Sequence, residues 1–222
     1  MPDQTAPLLW RDGIPVSSRF DDPYFSLQGG LAETRHVFLS GNDLPARFRP
    51  GFRILELGFG TGLNFLVTLR AHRDAGSPGP LLFTSLEAFP MAAADRARAL
   101  AAFPEIADEA ADLTQAMTAP GPWTFGPVTL RIIEGDARDT LPAWDGPADA
   151  AFLDGFAPAR NPEMWEPGLL TAVAHRLAPG GTLATYSAAG HVRRALEAAG
   201  LTVERRPGFG TKRHMTRARR PA

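Results

Sequence analysis

These 222 residues contain no cysteine. That one absence removes disulfides, thiolate zinc sites and cysteine nucleophiles together. It also removes the pyrimidine C5 chemistry that begins with a cysteine adding to the ring. Lysine is nearly missing: Lys212 is the only one, and arginine carries nearly all the positive charge, a bias that fits GC-rich codon usage. No apolar run approaches the roughly 18 residues of a membrane span. The start, MPDQTAPLLWRDG, has neither the basic n-region nor the apolar h-region of a secretory signal, so the expectation is a soluble cytoplasmic protein. A net charge of −1 excludes a chain that binds nucleic acid through bulk charge.

What is present is ordinary globular material, with 44% hydrophobic and 21% charged residues, enough for one domain with an appendage. Residues 1–50 read as the appendage and 51–222 as the main domain. In the appendage, Asp12-Gly13 is a hairpin turn signal between Leu8–Trp10 and Ile14–Val16, and a short helix is expected near Leu31–Phe38. From Phe52 onward apolar runs alternate with helical spacings. Strands are expected at FRILELG, PLLFTSLEAF, PVTLRIIEGDA, ADAAFLDGFAP, TLATYS, LTVERR and KRHMTRA. Helices are expected at Thr61–His72, Met91–Ala102, Glu105–Met117, Pro162–Leu177 and Ala188–Ala199, with Pro179-Gly180-Gly181 as a stop and turn. Such alternation implies an α/β, mainly parallel, doubly wound seven-stranded sheet. The last two strands are joined by PGFG, too short for a helical crossover, so the last strand should be antiparallel. This is the Rossmann-like architecture of class I methyltransferases.

The glycine loop LELGFGTGLNF narrows the ligand. A P-loop needs a lysine that is absent here, and a dinucleotide loop reads G-x-G-x-x-G. Here the spacing is E-x-G-x-G-x-G, through Glu56, Gly58, Gly60 and Gly62, with Asn64 just beyond. Close-set glycines let the backbone pass near a ligand without phosphates, which suits S-adenosylmethionine. Glu87 ends the second strand, where an acid accepts from both ribose hydroxyls, and Asp136-Ala137 ends the third, where an Asp meets an adenine amino group. An NAD-dependent oxidoreductase is the rival from another class, and it fails on the third glycine. Asp154 ends the fourth strand, the place where Rossmann-like methyltransferases set the residue that faces the transferred methyl. A carboxylate of ordinary pKa, about 3.9, is a feeble base for an alkylammonium, so Asp154 is expected to orient the amine and stabilise the forming ammonium. Phe156, Pro158 and Trp165 are candidates to wall the site from water, beside their plain packing role.

The stretches FDDPYFS, FLSGNDLPARF, LELGFGTGLNFL, DGFAPARNPEMW, TYSAAGHVRRAL and PGFGTKRHM closely resemble the tRNA 5-methylaminomethyl-2-thiouridine methyltransferase family (the MnmC methylase domain and stand-alone MnmD), from about Trp10 to Met215. The resemblance implies a Rossmann-like fold, S-adenosylmethionine as donor, and methylation of the aminomethyl nitrogen of wobble uridine in tRNA. It further implies Asp154 as catalytic, and Asn42 and Tyr24 near the cofactor. His191 and His214 depart from the family pattern, at an aromatic and a Glu position respectively. Many relatives are fused to an FAD-dependent oxidase; no second nucleotide motif is seen here, so no oxidase activity is expected and a separate oxidase would act upstream. No metal is implied.

From Arg193 onward nine Lys/Arg face two acids. That asymmetry suits phosphate contacts, with Arg205, Arg206, Lys212 and Arg213 as candidates. Two alternatives stay open, another amine substrate and a non-catalytic RNA-binding protein.

Overall fold

The structure is a computed structural model that describes residues 6–26 and 29–222; the first five residues of the expected appendage and residues 27–28 of its FSLQGG turn lie outside them. Strands β1 (Leu8–Arg11) and β2 (Ile14–Ser17) form the expected hairpin. Asp12 and Gly13 both take positive φ, 49° and 80°, as a tight two-residue hairpin turn requires. A third short strand, β3 (Asp22–Pro23), pairs with β2; two residues leave no periodicity to detect. The short helix expected at Leu31–Phe38 is longer. It starts as α1 (Gly30–Thr34) and continues through a π turn, Arg35–Leu39, into a 3₁₀ turn, Ser40–Asn42. Leu31, Val37, Phe38 and Leu39 bury themselves in the same core as the main sheet.

The main sheet has eight strands rather than seven. In chain order the elements are β4 (Phe52–Leu57), α2 (Leu63–Asp74), β5 (Leu81–Glu87), α3 (Ala93–Leu100), α4 (Ala107–Ala116), β6 (Trp123–Phe125), β7 (Val128–Glu134), α5 (Ala137–Thr140), β8 (Ala148–Leu153), α6 (Pro167–Arg176), β9 (Leu177–Thr185), α7 (Gly190–Ala198), β10 (Thr202–Pro207) and β11 (His214–Arg219). The extra strand is β6, three residues that hairpin onto β7 at one edge. The spatial order is β10-β11-β9-β8-β4-β5-β7-β6. The five strands β7, β5, β4, β8 and β9 run parallel. The last strand, β11, is antiparallel as expected, and lies between β9 and β10.

Two sequence expectations give way to local chemistry. Pro162–Leu177 is not one helix: a 3₁₀ turn, Pro162–Trp165, is broken at Glu166, which is extended (φ −63°, ψ 141°). The residue before a proline is pushed out of the helical region, so α6 starts at Pro167. Pro179-Gly180-Gly181 is not a stop either. It is a bulge inside β9, where the register jumps from Ala148↔Leu177 to Ala150↔Thr182. Gly180 takes a φ of 73° there.

Successive residues of β4 face opposite sides, as a pleated strand demands. Ile54 joins the core made with α2 and the α1 run, whereas Leu55 and Leu57 join the core made with α6 and α7. With both faces covered, β4 and β8 are almost wholly buried. Strand order reverses at β4, and ligand sites of such sheets lie beyond the carboxyl ends at that switch point.

Candidate active site

Beyond the carboxyl ends of β4, β5 and β8 lies a cavity of about 600 Å³. The β4–α2 loop forms its floor. Gly58 and Gly60 both have positive φ, 91° and 53°. A Cβ on Gly58 would stand 2.5 Å from the Asp154 carbonyl, and one on Gly60 3.1 Å from the Tyr24 ring. Gly58 thus lets β4 and β8 end side by side, and Gly60 keeps the wall flush below Tyr24. Gly62 does not reach the cavity and packs toward Phe59 and Leu113.

Asp154 lines the cavity immediately after β8, its backbone N–H donating to Leu57 O at 3.1 Å. One side-chain amide organises its carboxylate. Asn64 Nδ2 donates to Asp154 Oδ2 at 2.7 Å and to Glu56 Oε1 at 2.9 Å. Burial pushes the Asp154 carboxyl up to about 7, against the pull of Asn64 and Lys212. The premise of an ordinary carboxylate therefore fails: Asp154 is strong enough a base to hold a proton near neutrality. Glu56 does not line the cavity. It is fully buried beneath the loop, burial pushes its carboxyl up to about 8, and its Oε2 has no partner.

Glu87 lines the cavity at the end of β5. Its two oxygens accept from Gly60 N at 2.8 Å and Phe89 N at 2.7 Å, and each keeps a lone pair for a further donor. Burial holds this carboxyl above its usual range. Asp136 and Ala137 also line the cavity, but the Asp136 carboxylate caps α5 and is gripped by Arg138 at 2.6 Å. That ion pair lowers its pKa.

The segment after Asp154 is held atom by atom. Tyr186 donates its hydroxyl to Gly155 O at 2.6 Å, Trp165 Nε1 donates to Phe156 O at 2.8 Å, and Ala157 N donates to Asp22 at 2.8 Å. The Phe156 ring lines the cavity and meets Tyr24 and Phe20, each at 5.0 Å between centroids. Trp165 and Pro158 do not line it; Trp165, 2% exposed, supports the loop from behind.

Other expected residues separate. Tyr24 lines the cavity, whereas Asn42 lies away from it, fully buried and bonded to Phe38 O and Thr182. Asn42 ties the helical run to β9. Lys212 lines the cavity, paired with Glu33 at 2.7 Å and 4.2 Å above the Tyr186 ring centre. Arg205, Arg206 and Arg213 lie outside it, and Arg206 pairs with Glu204 at 2.6 Å. Sequence reasoning missed Asp22, Glu33, Tyr186, Phe89 and Phe209, all of which line the cavity. Tyr186 carried a signal in its place at the end of a strand, and Asp22 and Phe209 stand in the FDDPYFS and PGFGTKRHM stretches, which mark the resemblance without saying what those side chains face. Among the described residues no group of three or more His, Asp or Glu is placed to hold a metal ion.

The chain is similar to known proteins along nearly its whole length. Residues 111–221 match the model of a family described as S-adenosyl-L-methionine-dependent methyltransferases. The chain is 45% identical over 227 residues to the tRNA 5-methylaminomethyl-2-thiouridine biosynthesis bifunctional protein MnmC of Stutzerimonas stutzeri (strain A1501), covering 96% of this chain and 34% of that protein. It is 46% identical over 241 residues to the protein of the same name from Caulobacter sp. (strain K31), covering 100% of this chain and 39% of that protein. The chain thus spans little more than a third of the length of these curated relatives. A crystal structure of MNMC2 from Aquifex aeolicus shares the fold, with a TM-score of 0.79 at 24% identity, over 100% of this chain and 74% of that one.

Proposed function

The chain belongs to the MnmC methyltransferase family of S-adenosyl-L-methionine-dependent enzymes, and from that premise we propose that it methylates the exocyclic aminomethyl nitrogen of wobble 5-aminomethyl-2-thiouridine in tRNA. The observation that carries the reading is Asp154, clamped by Asn64 at a switch-point cavity whose floor is the glycine loop. A ribose fits the paired oxygens of Glu87, and the flush wall at Gly60 admits a ligand beneath Tyr24. Glu87, Gly58, Gly60, Tyr24 and the Asp136-Ala137 corner would hold S-adenosylmethionine, which supplies an electrophilic methyl carbon on a sulfonium.

The chain's own residues do the rest. An alkylamine arrives largely protonated, and Asp154, with its raised pKa, takes that proton and passes it on to water, returning to the carboxylate. The nitrogen lone pair is then free to take the methyl group that S-adenosylmethionine would supply. The product ammonium remains beside the Asp154 carboxylate, which stabilises the charge as it develops. Phe156, Tyr24 and Phe20 keep water from the reacting atoms. Residues 1–50 serve as an appendage walling the pocket, through Asp22, Tyr24 and Glu33, and residues 51–222 as the methyltransferase domain. A separate FAD-dependent oxidase acting upstream would supply the aminomethyl group, and a tRNA substrate would put the reaction in the cytoplasm.

The test is donor calorimetry followed by methylation of tRNA carrying 5-aminomethyl-2-thiouridine, read by nucleoside mass spectrometry. Donor binding with transfer only to small amines would favour another amine substrate. RNA binding without donor binding would leave a non-catalytic RNA-binding protein.

A further inference from the structure

The arginines outside the cavity do not act as one diffuse patch. On the antiparallel pair of β10 and β11, Pro207 faces His214 and Arg205 faces Thr216. Side chains two apart share a face, so Arg205 and His214 project from the same side. Val203 and Ala218, further along that face, pack into the core formed with Val192 and Leu196 of α7. This is the face that α7 covers, and Arg193 stands in the first turn of α7. Arg206 points the other way and pairs with Glu204.

Arg193 of α7, Arg205 of β10 and Arg213 of the segment before β11 thus surround one imidazole with positive charge. Arg193, Arg205 and Arg213 all lie close enough to His214 to act on its charge, and no carboxylate does. Among the described residues none of the three forms an ion pair, and Arg193 Nε is buried with no hydrogen-bond partner. Of the acids in this region Glu204 pairs with Arg206 and Glu33 with Lys212, while Glu197, four residues after Arg193 on α7, is exposed and does not act on His214. Such a cluster is self-repelling without a counter-charge. It also has a fixed place: Arg213 directly follows the cavity residue Lys212, and α7 begins four residues after Tyr186.

We propose that Arg193, Arg205, Arg213 and His214 form a phosphate-binding site at the rim of the cavity, which takes a backbone phosphate of the RNA strand whose base enters the pocket. The proposal rests on the tRNA reading above and adds where the strand is gripped. It makes binding proton-linked as well. In the free protein, burial and the three arginines hold the His214 imidazole below its usual range. A phosphate neutralises the arginines and favours imidazolium, so binding takes up a proton. Affinity therefore rises as pH falls through the imidazole range, because the bound-state pKa lies above the free one.

The probe is a synthetic anticodon stem-loop RNA with plain uridine at the wobble position, so that no substrate amine titrates. Its affinity is measured against salt and pH, and by calorimetry in two buffers of different ionisation enthalpy. Arg205→Gln and Arg213→Gln are expected to weaken binding roughly five- to tenfold and each to lower the salt slope by about 1, with donor affinity intact. Arg206→Gln should leave the slope unchanged. His214→Gln should lower the buffer-dependent proton uptake, and in an Asp154→Asn background, where that cavity carboxyl no longer titrates, it should abolish it. An unchanged salt slope in both Arg205→Gln and Arg213→Gln, with the stem-loop still bound and tRNA carrying 5-aminomethyl-2-thiouridine still methylated by both variants, would overturn the site and leave the tRNA reading standing. No RNA binding by the wild-type protein in the presence of donor would sink the reading and the site together.

Discussion

Asp154→Asn keeps the side chain's shape and one acceptor oxygen while removing both the charge and the proton-accepting site. Removing a preorganised group of this kind costs about 10²–10³ in kcat. Donor affinity should change little, since Glu87 and the glycine loop are built independently of it. Single-turnover methylation beside calorimetry on the same variant checks this, and an equal loss of donor binding would make Asp154 a cofactor ligand instead. Asn64 gives a sharper test of how Asp154 works. Asn64→Leu removes the donor shared by Asp154 and Glu56, so both carboxyls lose a group that favours their ionised forms. The pH–rate profile should then move to higher pH on its rising limb, with kcat lowered. A profile that falls in amplitude without moving would mean that Asn64 acts on shape alone. Gly60→Val is a third case, where a branched side chain at a φ of 53° would enter the space below the Tyr24 ring; donor binding should disappear in calorimetry while the circular dichroism of the fold persists.

At the scale of elements, the 3₁₀ turn Pro162–Trp165 exists to present Trp165 to the segment after β8. Trp165→Phe preserves most of the buried ring but frees Phe156 O from its hydrogen bond. The expected cost is about 1 kcal/mol in urea unfolding, with a larger fractional fall in kcat, as the Gly155–Ala157 backbone gains freedom. Equal falls in stability and activity across a series of core variants would deny this segment any special role. The parallel strands and their helices were readable because apolar runs ending in Gly or an acid mark buried strands, and Asp154, Glu87 and Gly60 stood at such ends. What escaped reading had physical reasons. β6 and β3 are too short to show a period. The glycines at 180–181 look like a turn locally, yet tertiary pairing with β8 and β11 draws them into β9. Glu33 reaches the pocket through an amino-terminal helix whose packing no local pattern encodes, and Asp22 stands in FDDPYFS, where the sequence does not say which backbone N–H it will accept from. Glu56 carried the right motif, but its side chain turned inward, to Asn64.

For the whole molecule, the buried acids set a pH dependence of stability. Glu56 and Asp154 have folded-state pKa values above their unfolded ones, about 8 and about 7. The folded state therefore binds more protons, and their contribution is complete below the unfolded pKa of roughly 4 and is lost as pH rises through 7 and 8. The urea midpoint of the ligand-free protein should fall between pH 5.5 and pH 8.5. Glu56→Gln should flatten that fall and stabilise the protein at pH 8.5 by on the order of 2 kcal/mol. A variant less stable than wild type at pH 8.5 would show that Glu56 is ionised and paired. A different consequence follows from the position of β11 between β9 and β10. Translation makes β10 before β11, yet β10 can join the sheet only through β11. Until His214–Arg219 has left the ribosome, β9 is an open edge, β10 has no strand to bond to, and the Phe209–Lys212 segment between them cannot reach the cavity. The nascent protein thus acquires its glycine loop early and its closed pocket last, so a growing chain holds half a catalyst until its final strand is threaded into place.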